Sequence, residues 1–182
     1  MTREIEAREL ERLLSGIAGG EPHTLEKLYI LTKDALYGYA LSMLKNSHDA
    51  EDVLHDAYVS VYHGAAAYRP QGKPMAWLFT IVRNLCTSNL RRRKRGGEGS
   101  AENWEAFLES REGISPEDRL LLSDCLKKLG DEEREILLLH GAFGLKHREI
   151  AQLTDRPLPT VLSKYHRARR KMQTILSEES GK

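Results

Sequence analysis

The 182-residue chain has no apolar run near the roughly 20 residues that cross a bilayer. Its 40% hydrophobic content therefore suits small cores and not a membrane span. Residues 1–20 mix Arg, Glu and Leu, without the apolar stretch and cleavage site of a signal peptide, so a cytoplasmic location is expected. Cysteine is scarce. Cys86 and Cys125 stand 39 positions apart, with no C-x-x-C pair and no Cys/His cluster at metal spacing. Both are expected to be buried or half-buried free thiols, and neither a metal nor a cofactor is implied. No G-x-x-x-x-G-K-[ST] loop is present, and the seven histidines form no catalytic constellation. His140 and His147 straddle a turn without a Cys or carboxylate at ligand spacing. An enzyme is not expected.

What the chain does have is charge in blocks. Its net charge is only +1, yet residues 1–60 carry 6 Lys/Arg against 11 Asp/Glu, and residues 61–95 carry 8 against none. Residues 96–135 return to 5 against 12, and residues 136–182 to 9 against 4. Two basic blocks set between acidic ones predict two surfaces that meet a polyanion.

Helical periodicity dominates, and no strand pattern survives. Leu25, Leu28, Tyr29, Leu36, Tyr39, Ala40 and Met43 recur as on a buried helix face. Asn46-Ser47-His48-Asp49 is a turn and cap cluster before a helix from about Asp49 to His63. Two prolines and a glycine within Tyr68–Pro74 force a loop, and a helix from Met75 to about Arg93 follows. Gly96-Gly97-Glu98-Gly99-Ser100 opens an acidic, weakly patterned stretch that contains Trp104 and Phe107. The expected organisation is all-α: a first domain over 1–95, a linker over 96–115 and a second domain over 116–182.

In the second domain, Leu120, Leu121, Cys125, Leu126 and Leu129 mark a helix that Gly130 ends, and Asp131 is expected to cap the next. A short helix, His147–Thr154, is followed by a turn with Pro157 and a long basic helix begun at Pro159. Helix, short turn and basic helix is the layout of a helix-turn-helix, whose second helix enters the major groove. Val161, Tyr165, Ala168, Met172 and Ile175 share its packed face. That leaves Thr160, Leu162, Ser163, Lys164, His166, Arg167, Arg169 and Arg170 outward. Thr160, Ser163, Lys164 and Arg167, near the helix start, suit base edges, and Arg169, Arg170 and Lys171 suit phosphates.

These motifs carry a resemblance. Arg134-Glu-Ile-Leu-Leu-Leu, Gly144-Leu, Glu149-Ile-Ala and Pro157-x-x-Thr160-Val161-x-Ser163-Lys164-x-His166-Arg167-Ala168-Arg169 resemble the sigma-4 domain of extracytoplasmic-function (ECF) sigma factors. Leu25-Glu-Lys-Leu-Tyr29, Asp49-Ala-Glu-Asp-Val53, Ala76-Trp77-Leu78 and Ile81-Val-Arg-Asn84 look like the family's sigma-2 domain, in the same order and spacing. The resemblance runs from about Leu25 to Leu176.

It implies a subunit of bacterial RNA polymerase that reads promoter DNA, held in check by a cognate anti-sigma factor. Asp49, Glu51, Asp52 and Asp56 would dock on the core polymerase, although acids near a helix start are also favoured by its dipole. The −10 element would be met by Tyr68, Arg69, Lys73, Arg83, Asn84, Arg91 and Arg92, with Trp77 assigned to the core. Parting each base-pair step costs about 1.4 kcal/mol, so without nucleotide hydrolysis binding energy must drive opening. The −35 element would be read by Arg148, Arg156, Thr160, Ser163, Lys164, Arg167 and Arg170. The chain departs from the family pattern at several positions: Asp155 and Pro159 stand for glycines, Leu162 for a basic residue, Lys146 for a capping Ser or Thr, and His55 for Gln. A second reading stays open: a helix-turn-helix regulator that binds duplex DNA without being a polymerase subunit.

Overall fold

The computed structural model describes residues 2–96 and 115–179. The expected linker, with Trp104 and Phe107, lies outside the described residues apart from Gly96 and Ser115. Among the described residues there are eight α-helices, one short 3-10 turn and no strand. The chain forms two compact units, Met1–Ser100 and Ala101–Lys182.

The first unit holds α1 (Thr2–Ala18), α2 (Thr24–Leu44), α3 (Ser47–Gly64), a 3-10 turn (Ala65–Ala67) and α4 (Pro74–Gly96). Helix α1 precedes the segment that carries the resemblance, yet it belongs to the core. Leu10, Leu13, Leu14 and Ile17 recur at helical spacing and are all buried, each contributing roughly 1.5–3 kcal/mol. Its last turn closes through Gly20, at φ 73, with the Glu21 N–H donating to the Gly16 carbonyl. Gly16 also lets α2 approach, because a Cβ there would sit 2.7 Å from Thr24 Cγ2.

Helix α2 ends where Lys45 turns left-handed at φ 56. Asn46 then caps α3, its Oδ1 accepting from the Asp49 N–H at 3.0 Å. In the core Tyr39 meets Phe79 edge-on at 5.2 Å, and buried Tyr58 shares a hydrogen bond of 2.7 Å with Thr32. Burial pushes the Tyr58 hydroxyl up to about 12. Tyr29 departs from expectation: it is 42% exposed, lying against the Tyr58 ring at 4.9 Å. It sits at the rim of the α2–α3 packing, beyond the layer that Leu28 and Leu36 fill. Cys86 is buried.

The second unit holds α5 (Pro116–Lys127), α6 (Asp131–Gly141), α7 (His147–Thr154) and α8 (Leu158–Glu179). Ser115 caps α5, accepting from the Asp118 N–H, with Pro116 in the first turn. Leu120, expected on the packed face, is 61% exposed. The cap of α6 also differs from expectation. Gly130 takes the capping position, and Asp131 is the first helical residue. The Asp131 carboxylate accepts instead from Arg134 Nη1 at 2.8 Å.

Arg134 explains the change, for it is only 5% exposed. Its Nε and Nη2 each donate at 2.7 Å, to the carbonyls of Leu126 and Leu129. A buried guanidinium thus satisfies acceptors left at the end of α5, where the helix dipole is negative. Cys125 is buried beside this junction in sequence.

Candidate nucleic-acid interface

In the first unit the basic block is carried mainly by α4. Asn84, Ser88, Arg91 and Arg95 are exposed, and their 4-3-4 spacing puts them on one face of the helix. Trp77, seven residues before Asn84, continues this face toward the loop 68–74. Arg92 is exposed on the flank, and Arg83 is half-buried. Arg93 points elsewhere and pairs with Asp49 at 2.5 Å, both partly buried. The stretch 61–95 thus presents its cations unevenly.

The loop itself is braced. The Tyr68 ring lies tilted against Trp77 at 5.1 Å, and its hydroxyl donates to Glu11 Oε1 at 3.1 Å. Burial, and then the neighbouring Glu11 carboxylate, push that hydroxyl up to about 12. The same Glu11 oxygen accepts the Gly72 N–H at 2.7 Å. Arg69, Pro70 and Gln71, between those anchors, are exposed, and Lys73 is half-buried.

The four acids assigned to polymerase docking divide into two groups. Asp52 and Asp56 are exposed and line a groove with Asn89 and Arg92 of α4. Asp49 lies on the same edge, tied to Arg93. Glu51 points toward α2, where its charge, after burial, helps raise the Tyr37 hydroxyl. Sequence reasoning missed a neighbouring surface: Tyr29, Tyr58, Val59 and Tyr62 line an apolar groove between α2 and α3, with Tyr62 58% exposed. Exposed apolar area of this kind is open to a partner or a ligand. The signal was available in the aromatic spacing of α3, but it reads equally well as core.

In the second unit α7 and α8 form the helix-turn-helix. Asp155 takes the left-handed conformation at φ 52, ending α7. Pro157 accepts from the Thr160 and Val161 N–H groups as α8 begins. Val161 and Ala168 are fully buried, which turns Ser163, His166, Arg167, Arg169 and Arg170 outward, with Thr160 and Lys164 half-exposed. Arg148 is exposed on α7.

Two glutamates on the first turn of α6, missed in the sequence, hold much of this basic set. Glu132 accepts from Arg156 Nη2 and Lys164 Nζ, each at 2.6 Å. These bonds, Lys164 foremost, keep its carboxyl below the usual range. Glu133, 6% exposed, accepts from Lys171 at 2.7 Å and lies 3.7 Å from Arg167. It too is held low, first by Lys171. Helix-start geometry favours acids at these positions.

Beside them, the rings of His140 and His147 lie 4.1 Å apart, with Tyr165 edge-on to both at 4.8 Å. Burial, then the nearby His140 and His166, depress the His147 pKa. Among the described residues no group of three or more His, Cys, Asp or Glu could hold a metal ion. No helix among them is long and apolar enough to cross a membrane.

Together these features define a two-unit helical DNA-binding protein with a helix-turn-helix in its second unit and a basic helix and braced loop in its first. The family model "Sigma-70 region 2" matches residues 28–96, and "Sigma-70, region 4" matches residues 119–172, together about two thirds of the chain. The chain is 29% identical over 143 residues to the ECF RNA polymerase sigma factor EcfG of Rhodopseudomonas palustris (strain TIE-1), covering 78% of this chain and 79% of that one. It is 23% identical over 175 residues to the ECF RNA polymerase sigma factor SigK of Mycobacterium bovis (strain BCG / Pasteur 1173P2), covering 92% and 94%.

Among solved structures, the sigma factor RpoE with the anti-sigma factor NepR from Bartonella quintana matches at TM-score 0.70 and 25% identity. That match covers 85% of this chain and 98% of that one. CnrH in complex with the cytosolic domain of CnrY shares the fold at TM-score 0.70 and 24% identity, covering 93% and 98%. The chain belongs to the sigma-70 family of RNA polymerase sigma factors, and to its ECF type.

Proposed function

We propose that this ECF sigma factor directs core RNA polymerase to promoters by dividing the work between its two units, 1–95 and 116–182. In the first unit Asp49, Glu51, Asp52 and Asp56, with the apolar groove beside them, dock on the core polymerase. Arg69, Lys73, Arg83, Arg91 and Arg92 hold the DNA backbone there. Asn84 reads a base of the −10 element, and Tyr68 supports the loop that receives an unpaired base. In the second unit Thr160 and Ser163 meet base edges of the −35 element. Arg148, Arg156, Lys164, Arg167 and Arg170 contribute charge, three of them by leaving a glutamate for a phosphate.

The observation that carries this reading is the pair of region matches in one chain, each coinciding with an exposed basic helix face. A duplex-binding regulator, whose first unit would serve dimerisation or ligand binding, has no use for an acidic docking helix and a base-capture loop. No step needs a cofactor or bond cleavage by this chain, which acts in the cytoplasm by binding. The apolar groove also suits an anti-sigma factor; the similar chain RpoE is found in complex with the anti-sigma factor NepR.

Run-off transcription with purified chain, core polymerase and a genomic fragment library tests the reading. Discrete start sites that share two upstream elements support it. Duplex binding without promoter-specific initiation would overturn it.

A further inference from the structure

Helix α1 lies outside the region 2 match, which begins at residue 28, yet it reaches the loop assigned to the −10 element. We propose that α1 is a working part of that reading module, with Glu11 as the positioning residue that sets the loop 68–74. The inference rests on the reading of this loop as a promoter contact, and it deepens it.

Three features carry it. First, Glu11 stands on rigid ground. Leu10, Leu13, Leu14 and Ile17 anchor its helix in the core, so the carboxylate has a fixed origin. Second, one oxygen serves both ends of the loop: Oε1 takes the Tyr68 hydroxyl at 3.1 Å and the Gly72 N–H at 2.7 Å. Gly72 sits at φ 70 with nothing within 4 Å of where a Cβ would stand. Glycine is needed there for the backbone angle and not for room, and that angle accompanies the hydrogen bond to Glu11. Tyr68 is wedged against Trp77, so the two anchors bracket Arg69, Pro70 and Gln71 and leave them exposed.

Third, the charge is otherwise unfavourable. Residues 61–95 contain no acid, and a carboxylate beside a phosphate-binding loop repels its ligand. Glu11 helps by geometry: a loop fixed before binding loses less freedom when DNA arrives.

The test uses holoenzyme made with the full chain and a promoter recovered by run-off transcription. Initiation is measured on the native promoter, on templates with single −10 substitutions and on templates with single −35 substitutions. Each ratio of native to substituted is independent of how much protein is folded. For wild type the −10 ratio is expected to be on the order of tenfold at a well-read position. Glu11→Ala should bring it toward unity and leave the −35 ratio unchanged. Glu11→Gln, which keeps an acceptor oxygen for both donors, should restore most of it.

An unchanged −10 ratio in Glu11→Ala overturns the positioning role while the sigma-factor reading stands. An equal fall in both ratios overturns it too, because the defect is then general. A wild-type chain that initiates nowhere overturns both.

Discussion

Replacing Glu132 with Gln should make DNA binding by the second unit more dependent on salt. In the structure one carboxylate holds two cations, Arg156 and Lys164, each at 2.6 Å. The trio carries a net charge of +1, and the substitution raises it to +2. Each additional charge that neutralises a phosphate steepens the fall of log K with log salt by about 0.9. Between 50 and 200 mM salt that is a further loss of roughly threefold in affinity, appearing as tighter binding of the variant at the low end.

The side chains of Lys164 and Arg156 are only 22% and 26% exposed, so neither is free to roam once released. The assay is fluorescence anisotropy of a labelled duplex carrying the −35 element, titrated with holoenzyme across that salt range. An unchanged slope would refute the idea that Glu132 competes with phosphate. Weaker binding at every salt would instead make Glu132 a support for Lys164.

The other consequences are more local. Arg134→Ala strips the donors from two buried carbonyls at the end of α5. It should destabilise the second unit by roughly 2–4 kcal/mol, read from denaturant unfolding or hydrogen exchange in α6. Because the folded state depresses the His147 pKa, the unfolded chain binds that proton more readily. Stability of the second unit should therefore be complete above about pH 6.5 and fall as pH drops below it. The groups facing His147 are His140 on α6 and Tyr165 and His166 on α8, and His147→Phe should flatten the profile in thermal melts. Leu162, half-exposed on α8, is expected to favour a thymine methyl in the −35 element. Leu162→Lys should shift the preferred base there in run-off selection, and an unaltered preference would refute the contact.

Much of the fold was legible because its boundaries are chemical. Asn46 caps α3, and Asp155 takes the left-handed bend that ends α7, while α4 opens at Pro74, one residue before the expected Met75. Each follows from what a side chain does to its own backbone. What escaped the sequence is what joins distant residues. Glu11 meets Tyr68 and Gly72 across 57 and 61 positions, and no local pattern announces such a pair.

Helix α1 itself had a signal, Leu10, Leu13, Leu14 and Ile17 at helical spacing, but the motif resemblance began after it. Asp131 looked like a cap because its type is right; the buried Arg134 claims its carboxylate instead. Glu132 and Glu133 sit at a helix start, where acids are common, and nothing local shows that they are the partners of the basic helix. Tyr29 fits an apolar period that cannot distinguish core from rim.

This chain and core polymerase together are expected to open promoter DNA. On a promoter recovered by run-off transcription, permanganate reactivity of thymines in the −10 element measures that directly. Reactive thymines should be seen only when chain and core polymerase are both present, and Asn84→Ala should weaken them. A duplex occupied by the chain alone, with thymines unreactive in every mixture, would rule out promoter opening by this chain.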